Sequence, residues 1–286
     1  MTQIDGELEQ AYARLRAILV EMGSVVIAMS GGVDSVFLAM VAQNVLGDRA
    51  LAVTADSPSL PRRELREAME LARLTGIRHL VVSTAEVADP RYAANPTNRC
   101  YFCKNTLFAR LEDLATEQGI AWVAYGENSD DLGDHRPGLL AAGEHHIRAP
   151  LKEAGLDKAA IRNLARHLGL PVWDKPAFAC LGSRFPYGTV ITPERLAQVE
   201  TAEDILWQIG FRQYRVRYHN DLARIEVGSE EMPQMIAHAA EVVDRLRSEA
   251  GFRHVTLDLA GYRRGSMNEG HVATISLHPV STASAR

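Results

Sequence analysis

The segment Ser30-Gly31-Gly32-Val33-Asp34-Ser35 constrains this chain more than any other. It follows directly on an apolar run, Ser24-Val-Val-Ile-Ala-Met29, and opens a helical pattern near residues 34–46. A run that is apolar on both faces belongs to a buried strand of a parallel sheet. Two glycines after it let the backbone turn tightly and approach a ligand closely. The N–H groups and dipole of the helix that follows favour an anion at the same place. Ser30 and Ser35 add hydroxyl groups. Asp34 is a carboxylate at an anion site, which makes sense if it holds Mg²⁺ on bound phosphates. The alternative is a plain strand–turn–helix with a serine cap.

Three further apolar runs, at 51–54, 79–82 and 122–125, read as strands of the same kind. Helical patterns lie near 61–76, 104–119 and 157–169. Leu8, Tyr12, Leu15, Leu19 and Met22 share one face of an opening helix. Strands alternating with helices predict an α/β fold, a doubly wound parallel sheet with right-handed crossovers. The pattern changes after Pro193. A helix near 193–209, alternating strands at 214–218 and 223–227, a helix near 231–250 and a strand at 254–259 predict a smaller C-terminal α+β unit. Pro176, Pro186, Gly188 and Pro193 cluster at the change, so the domains are expected at 1–185 and 186–286. The small, polar stretch 281–286 reads as a frayed tail.

Among 286 residues, 31 basic against 36 acidic side chains give a net charge of −5. That disfavours a general electrostatic grip on nucleic acid and leaves room for a small basic site. Apolar residues at 47% and charged residues at 23% exclude a disordered tail, a collagen-like chain and a disulfide scaffold. The apolar run 36–42 is too short to span a bilayer. Residues 1–7 carry no positive n-region and no apolar h-region, so a cytoplasmic protein without a membrane partner is expected.

In a reducing compartment the spacing Cys100-x-x-Cys103 points to metal or redox chemistry before disulfides. The third cysteine, Cys180, stands far along the chain in Phe178-Ala-Cys-Leu-Gly-Ser-Arg-Phe-Pro-Tyr-Gly188. A structural zinc site would need a histidine besides all three. A thioredoxin-like pair would leave Cys180 idle, and three inert thiols are a further alternative. A [4Fe–4S] cluster on three thiolates would leave one iron open for an extra sulfide. Cys180 could also give up or carry sulfur itself.

Arg215 and Arg217 alternate with Val216 and Tyr218, so both project to one strand face. With Arg212, His219 and Arg263 they form either a phosphate grip or an ordinary solvated face. Arg184, beside Cys180, would orient a substrate or steady charge at a reacting carbonyl, or else pair with a carboxylate. Asp130, Asp131 and Asp134 follow the fourth strand, where sheet-edge loops face the ligand crevice. They read equally as metal or acceptor ligands and as a solvated loop. His145-His146 has no ligand spacing and reads as surface.

The 30–35 segment resembles the SGGxDS signature of PP-loop ATP pyrophosphatases, and no Walker A pattern is present. The resemblance implies cleavage of ATP between its α and β phosphates and adenylation of a substrate. It also implies that Thr54-Ala-Asp56-Ser57, at the end of the second strand, meets adenine; a simple strand-to-loop turn is the alternative. Asn98-Arg-Cys-Tyr-Phe-Cys-Lys104, Gly126-Glu-Asn-Ser-Asp-Asp131, Arg136-Pro-Gly138 and Cys180 with 183–188 narrow the likeness, as do 216–221 and 261–263. Nearly the whole chain resembles the LarE sulfur transferases, which build the nickel-pincer nucleotide cofactor of lactate racemase. The resemblance implies ATP, Mg²⁺ and a pyridinium mononucleotide substrate, whose phosphate Arg215 and Arg217 would hold and whose carboxylate becomes a thiocarboxylate. Gly126 joins the nucleotide site.

In one branch of that family a cysteine matching Cys180 sacrifices its sulfur. In the other, cysteines matching Cys100, Cys103 and Cys180 hold a [4Fe–4S] cluster, and the present trio resembles that branch. Glu203 and Glu226 fall where the family has carboxylates that bind metal at subunit contacts. A homo-oligomer, trimer or hexamer, is implied, with other cofactor-biosynthesis proteins as partners. The competing readings are a tRNA 2-thiolation enzyme with a three-cysteine cluster, against which the acidic charge counts, and an ATP-binding module without chemistry.

Overall fold

The computed structural model describes residues 6–131, 137–176 and 179–263. In chain order the elements are α1 (Gly6–Met22), β1 (Val25–Ala28), α2 (Val33–Leu46), β2 (Ala50–Asp56), α3 (Arg62–Thr75), β3 (Arg78–Ser83), α4 (Pro90–Ala93), α5 (Arg99–Gln118) and β4 (Trp122–Tyr125). They continue with α6 (Pro137–Glu144), α7 (Pro150–Glu153), α8 (Lys158–His167), α9 (Pro193–Ile209), β5 (Tyr214–His219), β6 (Leu222–Val227), α10 (Met232–Ala237), α11 (Ala239–Ser248) and β7 (His254–Leu257). The chain divides into two compact units, residues 1–201 and 202–286. That division falls inside α9.

In the first unit β3, β2, β1 and β4 form one parallel sheet in that order. β1 is buried along its whole length, which explains its unbroken apolar sequence. Val25 and Ile27 pack into a core made with α1, α2, α3 and α8. Val26 and Ala28 face the opposite way, against Phe108 and Leu111 of α5 and Ala141 of α6. Both faces of the sheet are thus covered, as a parallel sheet requires. The strand order reverses at β1, between β2 and β4. In such sheets ligands bind outside the carboxyl ends of the strands at that point.

In the second unit β5, β6 and β7 form a three-stranded mixed sheet. β5 and β6 run antiparallel and β6 and β7 parallel. The helix expected over 231–250 is two helices, α10 and α11, parted at His238. Among the described residues no helix is long and apolar enough to cross a membrane. The tail at 281–286, Asp134 and Arg136 lie outside the described residues.

Candidate active site

The 30–35 loop joins β1 to α2, and its shape has local causes. Gly31 takes a φ of +77° and sits against Ala68 of α3, where a Cβ would come within 3.3 Å of the Ala68 Cβ. Ser35 staples the loop. Its Oγ accepts from the Ser30 N–H at 3.1 Å and donates to the Gly32 carbonyl at 3.0 Å. Gly126, just past β4, packs directly on the first turn of α2. A Cβ there would lie 2.8 Å from the Ser35 nitrogen. The loop and the end of β4 are therefore fitted to each other at backbone distance.

Asp34 is held from one side only. Its Oδ2 accepts from Lys158 Nζ at 2.6 Å and from Asn128 Nδ2 at 3.4 Å. Its Oδ1 is buried without a hydrogen-bond partner among the described residues. One anchored oxygen and one unsatisfied oxygen, beside a cradle of N–H groups, fit a divalent cation on phosphates. Lys158 is itself placed by the acidic loop. Asp130 Oδ2 accepts from the Lys158 N–H at 3.0 Å, and Asp157 caps α8 through the Ala160 N–H. Asp130 thus serves the backbone of α8. Nothing is described of the Asp131 side chain.

A cavity of about 250 Å³ opens at this edge of the sheet. Ser30, Gly32, Asp34 and Ser35 line it from the loop, Thr54 and Ser57 from β2 and beyond, and Gly126 from β4. Cys103, Lys104 and Cys180 line the same cavity. The structure thus brings the phosphate loop and two of the three cysteines to one space. Asp56 pairs with Arg62 and lines an adjoining hollow that shares Ser57 and Thr84 with the cavity.

Cys100 and Cys103 lie in the first turn of α5, and Cys180 precedes the short 3₁₀ turn Leu181–Arg184. Two residues that sequence reasoning passed over bring these segments together. Asn95, wholly buried and with a φ of +53°, donates through Nδ2 to the carbonyls of Phe185 and Pro186. Its Oδ1 accepts from the buried guanidinium of Arg99. Leu181 N–H also bonds the Ser59 carbonyl at 2.9 Å. Asparagine tolerates that left-handed backbone better than most residues, which is the only local signal it offered.

Burial, then the charges of Cys180 and Glu86, push the Cys103 thiol well up. Cys100 reaches the surface, yet protein fills most of its surroundings; desolvation first and Cys180 next push it up as well. Arg99 and Lys104 act in the opposite sense on Cys100. Cys180 acts on both of the shifted thiols. Among the described residues no three His, Cys, Asp or Glu side chains are set to hold a single metal ion.

Arg184 is fully buried, and its Nη1 donates to the carbonyls of Ala179 and Cys180 and to Ser183 Oγ. It shapes the Cys180 loop and does not line the cavity.

In the second unit Arg215 and Arg217 share a face, as the alternation predicts. Arg217 is buried against Glu226 at 2.7 Å, while Arg215 stacks over the Tyr262 ring. Arg224 joins Glu226 to Asp258. Glu203 accepts from the Val216 N–H at 3.0 Å. Both Glu203 and Glu226 are buried. His145 is partly buried between Glu112 and Asn105, which departs from the surface position read for it.

A family model described as NAD synthase matches residues 9–112, the stretch from α1 through the Cys100–Cys103 turn. The chain is 47% identical over 263 residues to the uncharacterized protein slr1717 of Synechocystis, with 91% of this chain and 98% of that one covered. It is 29% identical over 231 residues to a tRNA-specific 2-thiouridylase of a Caulobacter species, covering 66% of this chain and 55% of the other. It is 40% identical over 258 residues to the pyridinium-3,5-bisthiocarboxylic acid mononucleotide synthase of Lactiplantibacillus plantarum, covering 90% and 93%. Likeness at that level covers nine-tenths of the chain, and the chain belongs to the family of that synthase, the LarE family.

Proposed function

We propose that the protein is an ATP-dependent sulfur transferase acting on pyridinium-3,5-biscarboxylic acid mononucleotide. The single observation that carries this reading is the shared cavity, lined by the 30–35 loop and by Cys103 and Cys180. An enzyme that only adenylates needs the first; a sulfur donor needs the second; one space for both suits a transfer.

ATP lies with its phosphates on the loop N–H groups and the first turn of α2, where the helix dipole favours them. Asp34 would hold Mg²⁺ through its unpartnered Oδ1, and that ion neutralises phosphate charge when bound. Lys158 keeps the other Asp34 oxygen in place. A carboxylate oxygen of the acceptor attacks the α-phosphorus, pyrophosphate leaves, and an acyl-adenylate remains. This turns a poor electrophile into a good one, because AMP is a far better leaving group than oxide. Sulfur presented at Cys180 then attacks the acyl carbon and AMP departs. The bond from that sulfur to its carrier breaks to leave the thiocarboxylate. Where the sulfur is that of Cys180 itself, the bond broken is Cβ–Sγ, with loss of the Cα proton. Arg184 fixes the loop that aims Cys180, and Lys104 supplies positive charge beside it.

Cys100, Cys103 and Cys180 would hold a [4Fe–4S] cluster, whose open iron supplies a transferable sulfide when bound. Arg215, half-exposed on the β5 face, would grip the nucleotide phosphate, with Arg217 behind it. The trimer or hexamer and the cytoplasmic setting belong to this same reading. The test is acceptor-dependent pyrophosphate release. Release with the biscarboxylate mononucleotide supports the reading; ATP turnover that ignores the acceptor overturns it.

A further inference from the structure

Lys175, beyond the end of α8, reaches the phosphate loop from behind. Its Nζ donates to the Gly31 carbonyl at 3.4 Å. The same nitrogen lies 2.8 Å from Glu64 Oε2 and 2.9 Å from Glu67 Oε2, both on α3. An ammonium has three N–H donors, and these three acceptors take them all. Lys175 does not line the cavity. Its own carbonyl accepts from Arg162 Nη2 at 2.7 Å. Arg162 stands one turn beyond Lys158 on α8, so the helix that grips Asp34 also fixes Lys175.

The Gly31 carbonyl and the Gly32 N–H belong to one peptide plane. No peptide bond among the described residues is cis, so the two groups point in opposite directions. Gly32 lines the cavity and Gly31 does not. Among the described residues the Gly32 N–H has no hydrogen-bond partner, and the Gly31 carbonyl has Lys175 alone. Glycine on both sides of this peptide leaves it free to turn over. A peptide turned over would show the phosphates a carbonyl oxygen in place of a donor. A contact from outside the loop must therefore choose its direction.

We propose that Lys175 is a positioning residue of the phosphate loop, which holds the Gly31 carbonyl toward α3 and so keeps the Gly32 N–H facing the phosphates of ATP. The proposal rests on the ATP reading of the loop given above. Glu64 and Glu67 keep the ammonium at this post. Ala68, one turn past Glu64, closes the same side of Gly31.

The experiment is calorimetric titration of full-length protein with Mg²⁺ and a non-hydrolysable ATP analogue, and separately with adenosine, which carries no phosphate. Lys175→Met is expected to bind the analogue roughly tenfold more weakly, as for loss of a contact from a charged donor. Its affinity for adenosine should hold. Unchanged affinity for the analogue in a folded variant overturns the proposal. An equal loss for both ligands marks a general loosening and overturns it too. Lys175→Met also leaves Glu64 and Glu67 side by side, where they repel phosphate and weaken the fold. The triple variant Lys175→Met, Glu64→Gln, Glu67→Gln removes that charge and still leaves the Gly31 carbonyl unheld. It should show the same loss for the analogue alone, and wild-type binding in it would reduce the effect to charge and overturn the proposal. If Lys175→Met does not fold, the triple variant decides alone. Wild type that binds adenosine but gains nothing from the phosphates overturns the ATP reading itself, and the proposal falls with it.

Discussion

Lys158 Nζ lies 2.6 Å from Oδ2 of Asp34, across the mouth of the phosphate loop. The lysine comes from the start of α8, far from the loop in sequence, and Asp130 holds its backbone N–H. The pair fixes which Asp34 oxygen is free. It also places an ammonium group next to the loop where triphosphate charge must be met. Lys158→Met therefore weakens ATP use. Loss of one charge-assisted contact at a partly buried site predicts a KM for ATP raised about tenfold or more. Steady-state pyrophosphate release against ATP concentration measures it, and an unchanged KM contradicts the role.

Asp34→Asn keeps the shape of the loop and removes the negative charge. The amide can still meet Asn128, but it cannot offer an anionic oxygen to a cation. Pyrophosphate release is expected to fall by about a hundredfold or more, as for loss of a metal-assisted contribution of several kcal/mol. Full activity in this variant would remove the assignment of the loop to ATP.

Gly126→Ala tests the fit between β4 and α2. Its Cβ would meet backbone, the Ser35 nitrogen at 2.8 Å and Cα at 3.0 Å, so no side chain can swing aside. The first turn of α2 must move, and overpacking of this kind costs about 1–3 kcal/mol. Both melting temperature and ATP affinity should drop. Calorimetric titration with a non-hydrolysable ATP analogue reads the second.

Replacing Cys103 or Cys180 by Ala separates the two halves of the reaction. Neither sulfur touches the loop's own hydrogen bonds. Thiocarboxylate formation is expected to vanish while acceptor-dependent pyrophosphate release persists. Loss of both activities in a folded variant contradicts that separation.

Burial holds the His79 imidazole below its ordinary range. Its Nε2 is 2.9 Å from Thr54 Oγ1, which in turn donates to the Met29 carbonyl at the end of β1. As pH falls through the ordinary histidine range near about 6.5, the unfolded chain takes up this proton before the folded chain does. Stability from His79 is therefore complete above that pH and declines below it. The melting temperature should fall between about pH 7.5 and about pH 5.5, and His79→Gln should fall less steeply. His219, depressed by burial first and Arg224 next, contributes equally to both proteins and cancels in the comparison.

The sheet and the phosphate loop were legible because their causes are local. β1 is buried on both faces, so its sequence is uniformly apolar, and the loop needs glycine where the chain turns tightly. The helix over 231–250 misled because its apolar spacing continues through His238, where α10 ends and α11 begins. Cys180 was legible as chemistry, and its place beside Cys103 followed only from the cluster reading, one of several. That proximity depends on Asn95 and Arg99, whose bonds span the fold and leave no periodic mark. Lys158 is one of only four lysines in the chain, but no motif around it pointed to the loop until α8 was placed. Arg184 and Asp130 each read either as ligand-facing or as structural, and each makes bonds to nearby backbone. A charged residue in a loop carries the same sequence signal in either case.

The central claim is that one cavity couples adenylation to sulfur delivery. Its most direct test is mass spectrometry of the biscarboxylate mononucleotide after incubation with ATP, Mg²⁺ and anaerobically purified protein. The account predicts an acceptor heavier by one oxygen-to-sulfur exchange, formed with one pyrophosphate released, and absent from the Asp34→Asn and Cys180→Ala variants. An acceptor that returns unchanged from fully loaded protein, or a thiocarboxylate that still forms without Cys180, would contradict it.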